Sequence, residues 1–365
     1  MKEGKLNIGI LFGGKSAEHE ISLKSAKNVI EALDKNKFSP VLIGVDKDGK
    51  WLFNDVDGVL VEDPDGSLTI NPDSLHVALV PQCNGKLFNL TSEKELPTLD
   101  AVFPVMHGPL AEDGTIQGLL KLANVPFVGA DVLGASVGMD KEVMKRLLVE
   151  ADLPIGKYVT VREHEERPSF QTVVDQLGLP CFVKPANLGS SVGINRVDDE
   201  SQYQKALDEA FSFDTKIIIE EFIDGREVEC AVLGNEMPKA SVAGEISFTH
   251  SFYSYEAKYE DEKGFKIDIP AHISDDQMVK VRQMAIDTFQ ALECAGFGRV
   301  DVFLTKDDRL LVNEINTIPG FTAISMYPML WEATGLSYKD LISELIGLAI
   351  DRFQKASRLN SSKSK

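Results

Sequence analysis

Residues 298–325, GRVDVFLTKDDRLLVNEINTIPGFTAIS, constrain this chain more than any other stretch. Side chains alternate along a strand, so Arg299 and Asp301 share one face while Val300, Val302 and Leu304 share the other. The polar run 305–308 reads as a turn and Arg309–Asn316 as the returning strand. A hairpin closing on Asp307-Asp308 sets Asp301 opposite Glu314 and Arg299 opposite Asn316. Two carboxylates directly opposed on one sheet face destabilise the pair unless positive charge lies between them. Two answers fit. One is an acidic hairpin held by ion pairs with Arg299. The other is a cation gripped by Asp301, Glu314 and Asn316, whose hard oxygens suit Mg²⁺ better than a softer metal. Beyond the strand, Thr317–Gly320 breaks the pairing and leaves the Gly320 N–H near that face.

Charge decides which partners such a face could serve. The 365 residues carry a net charge of −19, which argues against nucleic acid or an anionic membrane surface as partner. A phosphate ligand would need local lysines and a metal to reverse that field. Length implies about two to three domains. No apolar run approaches the ~20 residues that span a bilayer, and residues 1–7 are too polar for a signal peptide. Cys83, Cys181, Cys230 and Cys294 are scattered without a CxxC, as in a reduced, cytoplasmic protein.

The chain opens as α/β, with strand Leu6–Phe12, helix Ile21–Leu33 and strand Pro40–Val45. Gly9–Ser16, GILFGGKS, matches the phosphate-loop pattern GxxxxGK[ST], but Ile10–Phe12 belong to the strand and Glu18 and Glu20 follow at once. Glu18 instead reads as a carboxylate at a helix N-terminus, able to hold a substrate ammonium or simply to cap the helix. Residues 46–99 are turn-rich and acidic and read as hairpin elaboration carrying no chemistry. His107 ends strand Ala101–Met106, where α/β sheets bind ligands, and is a substrate-contact candidate or a structural histidine. Helices are expected at Ile116–Ala123 and Lys141–Ala151, the latter with Val143, Leu147 and Leu148 inward. Lys184 ends an apolar strand, and Pro185–Gly193 forms a glycine- and serine-rich tip whose N–H groups make an anion nest. Ile217–Ile219 runs into Glu220-Glu221-Phe222-Ile223, with Glu227 beyond a turn; this suits a purine edge and ribose, or a solvated strand end. Residues 247–264, holding Tyr253, Tyr255, Lys258 and Tyr259, have the composition of an active-site lid or of a plain surface loop. Ser274–Gln277 is a capping box opening a helix to about Leu292. Ser337–Phe353 reads as a closing amphipathic helix and residues 354–365 as a frayed tail.

HGPLAEDGTIQG, MDK, FVKPANLGSSVG, YEAKY, GRVDVFL and NEINTIPGFT occur in that order and cover nearly the whole chain. Together they resemble the D-alanine–D-alanine ligases of the ATP-grasp superfamily. The resemblance implies an α/β fold of three domains: an N-terminal parallel-sheet domain, 1–137, and two α+β domains, 138–220 and 221–365, that sandwich ATP. It implies Lys141, Lys184 and Ser191 at the phosphates and Lys258 near the γ-phosphate. Glu220, Glu221 and Ile223 would lie at adenine and Glu227 at ribose. Asp301, Glu314 and Asn316 match ligands for two Mg²⁺, with Mn²⁺ as a substitute. Glu18 would hold the first D-alanine's ammonium in a trio with Ser190 and Tyr259, and His107 would help polarise that substrate. Arg299 and Gly320 would stabilise the oxyanion, and Ser325 would take the second carboxylate. Tyr259 within EAKY matches the type that prefers D-alanine to D-lactate. A cytoplasmic homodimer acting on D-alanine and ATP in peptidoglycan precursor synthesis is the implied protein. Alternatives are a different ATP-grasp carboxylate–amine ligase, a non-catalytic ATP-sensing module and a phosphate-loop ATPase using Lys15.

Overall fold

The structure is a computed structural model that describes residues 4–54, 58–92, 95–248 and 265–359. Its first sheet follows from two apolar runs that can only be buried on both faces. Strand β1 (Leu6–Gly13) lies parallel between β2 (Phe38–Val45) and β8 (Ala101–Met106). Gly9 to Phe12 are paired residue by residue with Val41–Gly44 and with Val102–Val105, so the phosphate-loop pattern is strand, and Lys15 is exposed past its end. Gly13 turns the chain out at φ +90°, where a Cβ would lie 2.2 Å from the Val45 carbonyl oxygen. Residues 46–99 extend this sheet with β3 (Trp51–Phe53), β6 (Leu75–Leu79) and β7 (Leu87–Asn89), giving the order β7-β6-β3-β2-β1-β8. The remaining pair, β4 (Leu60–Glu62) and β5 (Leu68–Ile70), forms a separate hairpin tied to helix His19–Ala32 by Lys27–Glu62 at 2.6 Å.

The second sheet is antiparallel, in the order β11-β10-β12-β9, from β9 (Tyr158–Arg162), β10 (Cys181–Pro185), β11 (Asn195–Val197) and β12 (Lys216–Glu221). Cys181, Val183, Ile217 and Ile219 face its core beneath helices Phe170–Leu177 and Glu200–Phe211. Alternation therefore turns Lys184 and Glu220 to the opposite face.

The third sheet, also antiparallel, runs β15-β14-β13-β16-β17, from β13 (Gly225–Gly234), β14 (Lys239–Phe248), β15 (Phe265–Asp268), β16 (Gly296–Thr305) and β17 (Leu310–Asn316). Residues 247 and 248, expected in the lid, are paired in β14; residues 249–264 lie outside the described residues. The Asp301–Glu314 and Arg299–Asn316 pairings are as the alternation requires, but the turn differs. Thr305 N–H bonds Arg309 O and Asp308 adopts φ +61°, so three residues make the turn. Val302 consequently pairs with Val312, and Asn313 is a bulge that restores the register at Glu314. Without that extra residue Asp301 would face Asn313, and Glu314 would point into the core.

Helix Asp275–Ala291, with the Ser274–Gln277 capping box formed, covers the apolar face of this sheet. Helix Lys141–Glu150 packs there too, through Met144 and Leu148, although its sequence position suggested the central domain. Val143 and Leu147 pack against the same core, as expected, but are partly buried, and Met144 joins Leu148 as fully buried. An unforeseen helix, Val132–Met139, precedes it. Helices Met326–Ala333 and Tyr338–Ser357 join the first and third sheets in one core, where Phe297 meets Phe103, Phe321 and Tyr327 at 6.4, 5.7 and 5.5 Å. The last helix continues past Phe353, with Lys355 paired to Asp351 and Glu236, so residues 354–357 are not frayed. Among the described residues no helix is long and apolar enough to cross a membrane. Truncating Phe297 to Ala should cost about 3–5 kcal/mol, as for other buried aromatics. A thermal scan that moves by less than a degree or two would contradict the shared core.

Candidate active site

The three sheets enclose a cavity of about 810 Å³. One wall is the polar face of the third sheet. There Arg299 forms a bidentate pair with Asp301, both contacts 2.7 Å, and a 2.9 Å contact with Glu229. Burial opposes the Arg299 charge, but Asp301 and Glu229 more than compensate and raise its pKa well above the ordinary value. Lys141 lies 3.6 Å from Glu314 and donates to Leu188 O at 2.6 Å. Within the chain, then, the two opposed acids are answered by Arg299 and Lys141. Asn316 shares the face, its Oδ1 accepting the Ile318 N–H at 3.1 Å. The donor set fits a hard cation whose coordination is completed by ligand oxygens. Among the described residues no three His, Cys, Asp or Glu side chains converge on a metal site by themselves.

A second wall is cationic. Lys184 is buried and paired with Glu220, whose other oxygen lies 2.7 Å from Lys145. Burial would raise the Glu220 pKa, but Lys145 and Lys184 hold it down to about 2. Burial works against the Lys184 charge, and Glu220 and Glu314 still raise its pKa. Above these lysines the 185–193 tip turns through Ser190 and Ser191 at φ +52° and +60°, left-handed conformations that make a concave tip.

The third wall belongs to the first sheet. Glu18 occupies the N-cap position of helix His19–Ala32, yet its side chain makes no capping bond; it accepts from Ser190 Oγ at 2.5 Å. His107 is buried at the end of β8, with Nδ1 donating to Ile318 O at 3.0 Å. Gly320 and Ser325 lie on a loop anchored to the same helix by Asn28 and Ser25, at 3.1 and 3.2 Å from Phe321 backbone atoms. A Cβ on Gly320 would stand 2.8 Å from Ser325 Oγ, so a side chain there would have to displace the hydroxyl that accepts the Thr322 N–H at 2.9 Å.

Glu18, Ser190, Ser191, His107, Lys141, Lys184, Glu227, Arg299, Asp301, Glu314, Asn316, Gly320 and Ser325 thus converge on one cavity. Glu220, Glu221 and Ile223 do not line its wall: Glu220 anchors the lysines, and the Glu221 carboxylate accepts the Lys157 N–H at 2.8 Å. Lys258 and Tyr259 lie outside the described residues. Sequence reading missed several groups. Glu229 is two residues from Glu227 on the same strand, and Lys145 is one helical turn beyond Lys141; both were recoverable from periodicity. Glu112 lines the cavity and accepts the Gly108 N–H at 2.6 Å; burial, then the nearby Glu18, raises its pKa to about 8. Gly66 and Leu68 bring the β4–β5 hairpin to the cavity wall, so the acidic elaboration is not remote from the site.

An anion nest over paired lysines, an acidic face suited to a hard cation and a Glu–Ser contact between sheets define a nucleotide-dependent ligase of ATP-grasp type. The D-ala D-ala ligase N-terminus model matches residues 7–130, and the D-ala D-ala ligase C-terminus model matches 147–347. Similar proteins include D-alanine–D-alanine ligase A of Salmonella typhimurium, 51% identical over 352 residues, 95% of this chain and 96% of that one. The D-alanine–D-alanine ligase of Shouchella clausii is 50% identical, covering 98% of each chain. Among solved structures, the D-alanine-D-alanine ligase from Coxiella burnetii superposes with a TM-score of 0.84 at 38% identity, covering 97% of this chain and 96% of that one. The VanG D-Ala:D-Ser ligase from Enterococcus faecalis gives 0.83 at 34%, covering 95% and 100%. The chain belongs to the D-alanine–D-alanine ligase family.

Glu112 supplies a pH test. The folded protein keeps its proton up to about pH 8, whereas the unfolded chain releases it near 4.5. The folded state binds more protons between those values, so this group's contribution to stability falls as pH rises through them. Glu112→Gln should gain stability relative to wild type across that window. A midpoint difference that stays flat from pH 5 to 8 would contradict the assignment.

Proposed function

We propose that the chain joins two D-alanine molecules into D-alanyl-D-alanine through an acyl phosphate, converting ATP to ADP and phosphate for peptidoglycan precursor synthesis. The observation that carries this reading is the meeting of the Asp301–Glu314 face, Lys141 and Lys184, and the Glu18–Ser190 contact in one cavity. Asp301, Glu314 and Asn316 would hold two Mg²⁺, or Mn²⁺ in their place. Bound there, these ions supply charge neutralisation at the phosphate oxygens.

A carboxylate is a poor nucleophile toward an anionic phosphoryl group, so cations must offset the repulsion and fix the line of approach. Lys141 and Lys184 do this from the chain, while the Ser190–Ser191 tip wraps the phosphates. Glu18 takes the first substrate's ammonium, and His107, fixed by its Ile318 contact, orients the carboxylate. A carboxylate oxygen bonds to the γ-phosphorus as the bond to ADP breaks. The second substrate's neutral amine then adds to the acyl carbon, and the bond from that carbon to the phosphate oxygen breaks; phosphate departs carrying the proton the amine gives up as the amide forms. Arg299, locked by Asp301 and Glu229, and the Gly320 N–H face the developing oxyanion, while Ser325 receives the second carboxylate. Lys258 and Tyr259 complete the reading as a lid that keeps water from the acyl phosphate. Glu227 forms the nucleoside end together with the backbone of Glu220, Glu221 and Ile223, since the Glu220 and Glu221 carboxylates are engaged elsewhere. Division at 137/138 and 220/221, a cytoplasmic location and a homodimer are part of the same reading and rest on the family.

Arg299→Met should lower kcat by about 10²–10³-fold, the scale of one lost oxyanion donor, with a much smaller change in KM for ATP. A loss confined to KM for ATP would remove Arg299 from that role. For the second substrate, D-alanine should outcompete D-lactate at neutral pH. Depsipeptide as the main product would refute that preference.

A further inference from the structure

The buried trio Lys145–Glu220–Lys184 has an arithmetic that the proposed reaction does not use. Each oxygen of Glu220 meets one lysine: Oε1 lies 2.7 Å from Lys145 Nζ, and Oε2 contacts Lys184 Nζ. The side chains are only 3%, 13% and 9% exposed for Lys145, Glu220 and Lys184, so water screens them little. Two cations share one anion, and the trio carries net charge +1. Lys145 also sits 5.7 Å over the Tyr158 ring, which holds the ammonium in place on the second sheet. Its helix carries Lys141 one turn earlier, so both phosphate-facing lysines are braced from a single helix, directly or through Glu220.

We propose that Lys145 is a positioning residue for nucleotide binding: by occupying half of the Glu220 carboxylate, it leaves the Lys184 cation available to an incoming phosphate. The inference rests on the reading of Lys184 as a phosphate ligand. Remove Lys145, and Glu220 has Lys184 as its sole close cation. The pair becomes neutral, and phosphate must compete with a carboxylate already in contact. The opposite reading, in which Lys145 merely fills space, makes a different forecast for the charge-balanced double variant.

The test measures binding of ATP and of inorganic tripolyphosphate, each with Mg²⁺, by calorimetry; the second probe has no base and reports the phosphate arm alone. Lys145→Met keeps the stem's packing. It should weaken both probes by about tenfold or more, the scale of one charge in a poorly screened site. Lys145→Met combined with Glu220→Gln restores one unpaired cation and should return tripolyphosphate affinity to within about threefold of wild type, because the lost term is the charge balance. Lys145→Arg should bind like wild type. A double variant no tighter than Lys145→Met, or a Lys145→Met protein with unchanged affinity and only a lower melting point, overturns the proposal. Should Lys145→Met fail to fold, Glu220→Gln alone decides: tripolyphosphate binding at least as tight as wild type supports it, and weaker binding overturns it. Lys184→Met separates the two levels. Wild-type affinity there defeats the reading of Lys184 itself, whereas weakened binding without rescue in the double variant defeats only the role of Lys145.

Discussion

Two carboxylates face each other across one hairpin, and much of the molecule is arranged to make that tolerable. Asp301 and Glu314 would repel at sheet spacing. Arg299 answers one and Lys141 approaches the other. A third acid, Glu229, lies across from Asp301 on β13, so the face is more acidic than the hairpin alone. The bulge at Asn313 is the geometric counterpart, since it returns Glu314 to the cavity after a turn that would have sent it inward. Asn313 then contacts Glu227 at 3.2 Å, so the residue that corrects the register also fixes a neighbouring acid.

Around this face the three sheets divide the chemistry by charge. The acidic wall is on the third sheet, and the buried lysines come from the second sheet, Lys184, and from helix Lys141–Glu150, Lys141 and Lys145. The first sheet and its helix supply Glu18 and the supports of the Gly320–Ser325 loop. The cores do not follow the same division. Helix Lys141–Glu150 buries its apolar side in the third sheet while directing Lys145 at Glu220 of the second and setting Lys141 between Glu314 and the 185–193 tip. The Phe103–Phe297–Phe321 cluster welds the first sheet to the third. Rigid attachment of this kind is what lets donors from separate sheets be held within hydrogen-bonding tolerance of one reacting centre.

What could be read from residues alone was whatever obeyed a short period. The facing of Asp301 and Glu314 follows from alternation, and the final helix from its apolar stripe at Leu341, Leu345 and Ile346. Pairing context likewise disposed of the phosphate-loop pattern at Gly9. The three-residue turn and its compensating bulge were invisible because two errors of one residue cancel at Glu314. Helix Val132–Met139 was missed since its small residues lie against packing on most sides and show no amphipathic stripe. The placing of Glu220 between two lysines depends on a helix some seventy residues earlier, a contact that no local pattern encodes. Glu112 lay within a motif that was recognised, but its altered acidity comes from burial beside Glu18, which only the fold supplies.

Catalysis by this face requires that the opposed acids form a divalent-cation site once a nucleotide is present. Electron paramagnetic resonance of Mn²⁺ titrated into the protein with ADP reads this directly, because bound and free Mn²⁺ have distinct spectra. Wild type should take up the ion, and the Asp301→Asn, Glu314→Gln double variant should lose at least about tenfold in affinity, as removal of two charged ligands requires. Undiminished Mn²⁺ binding in that variant would place the cation elsewhere and contradict the account.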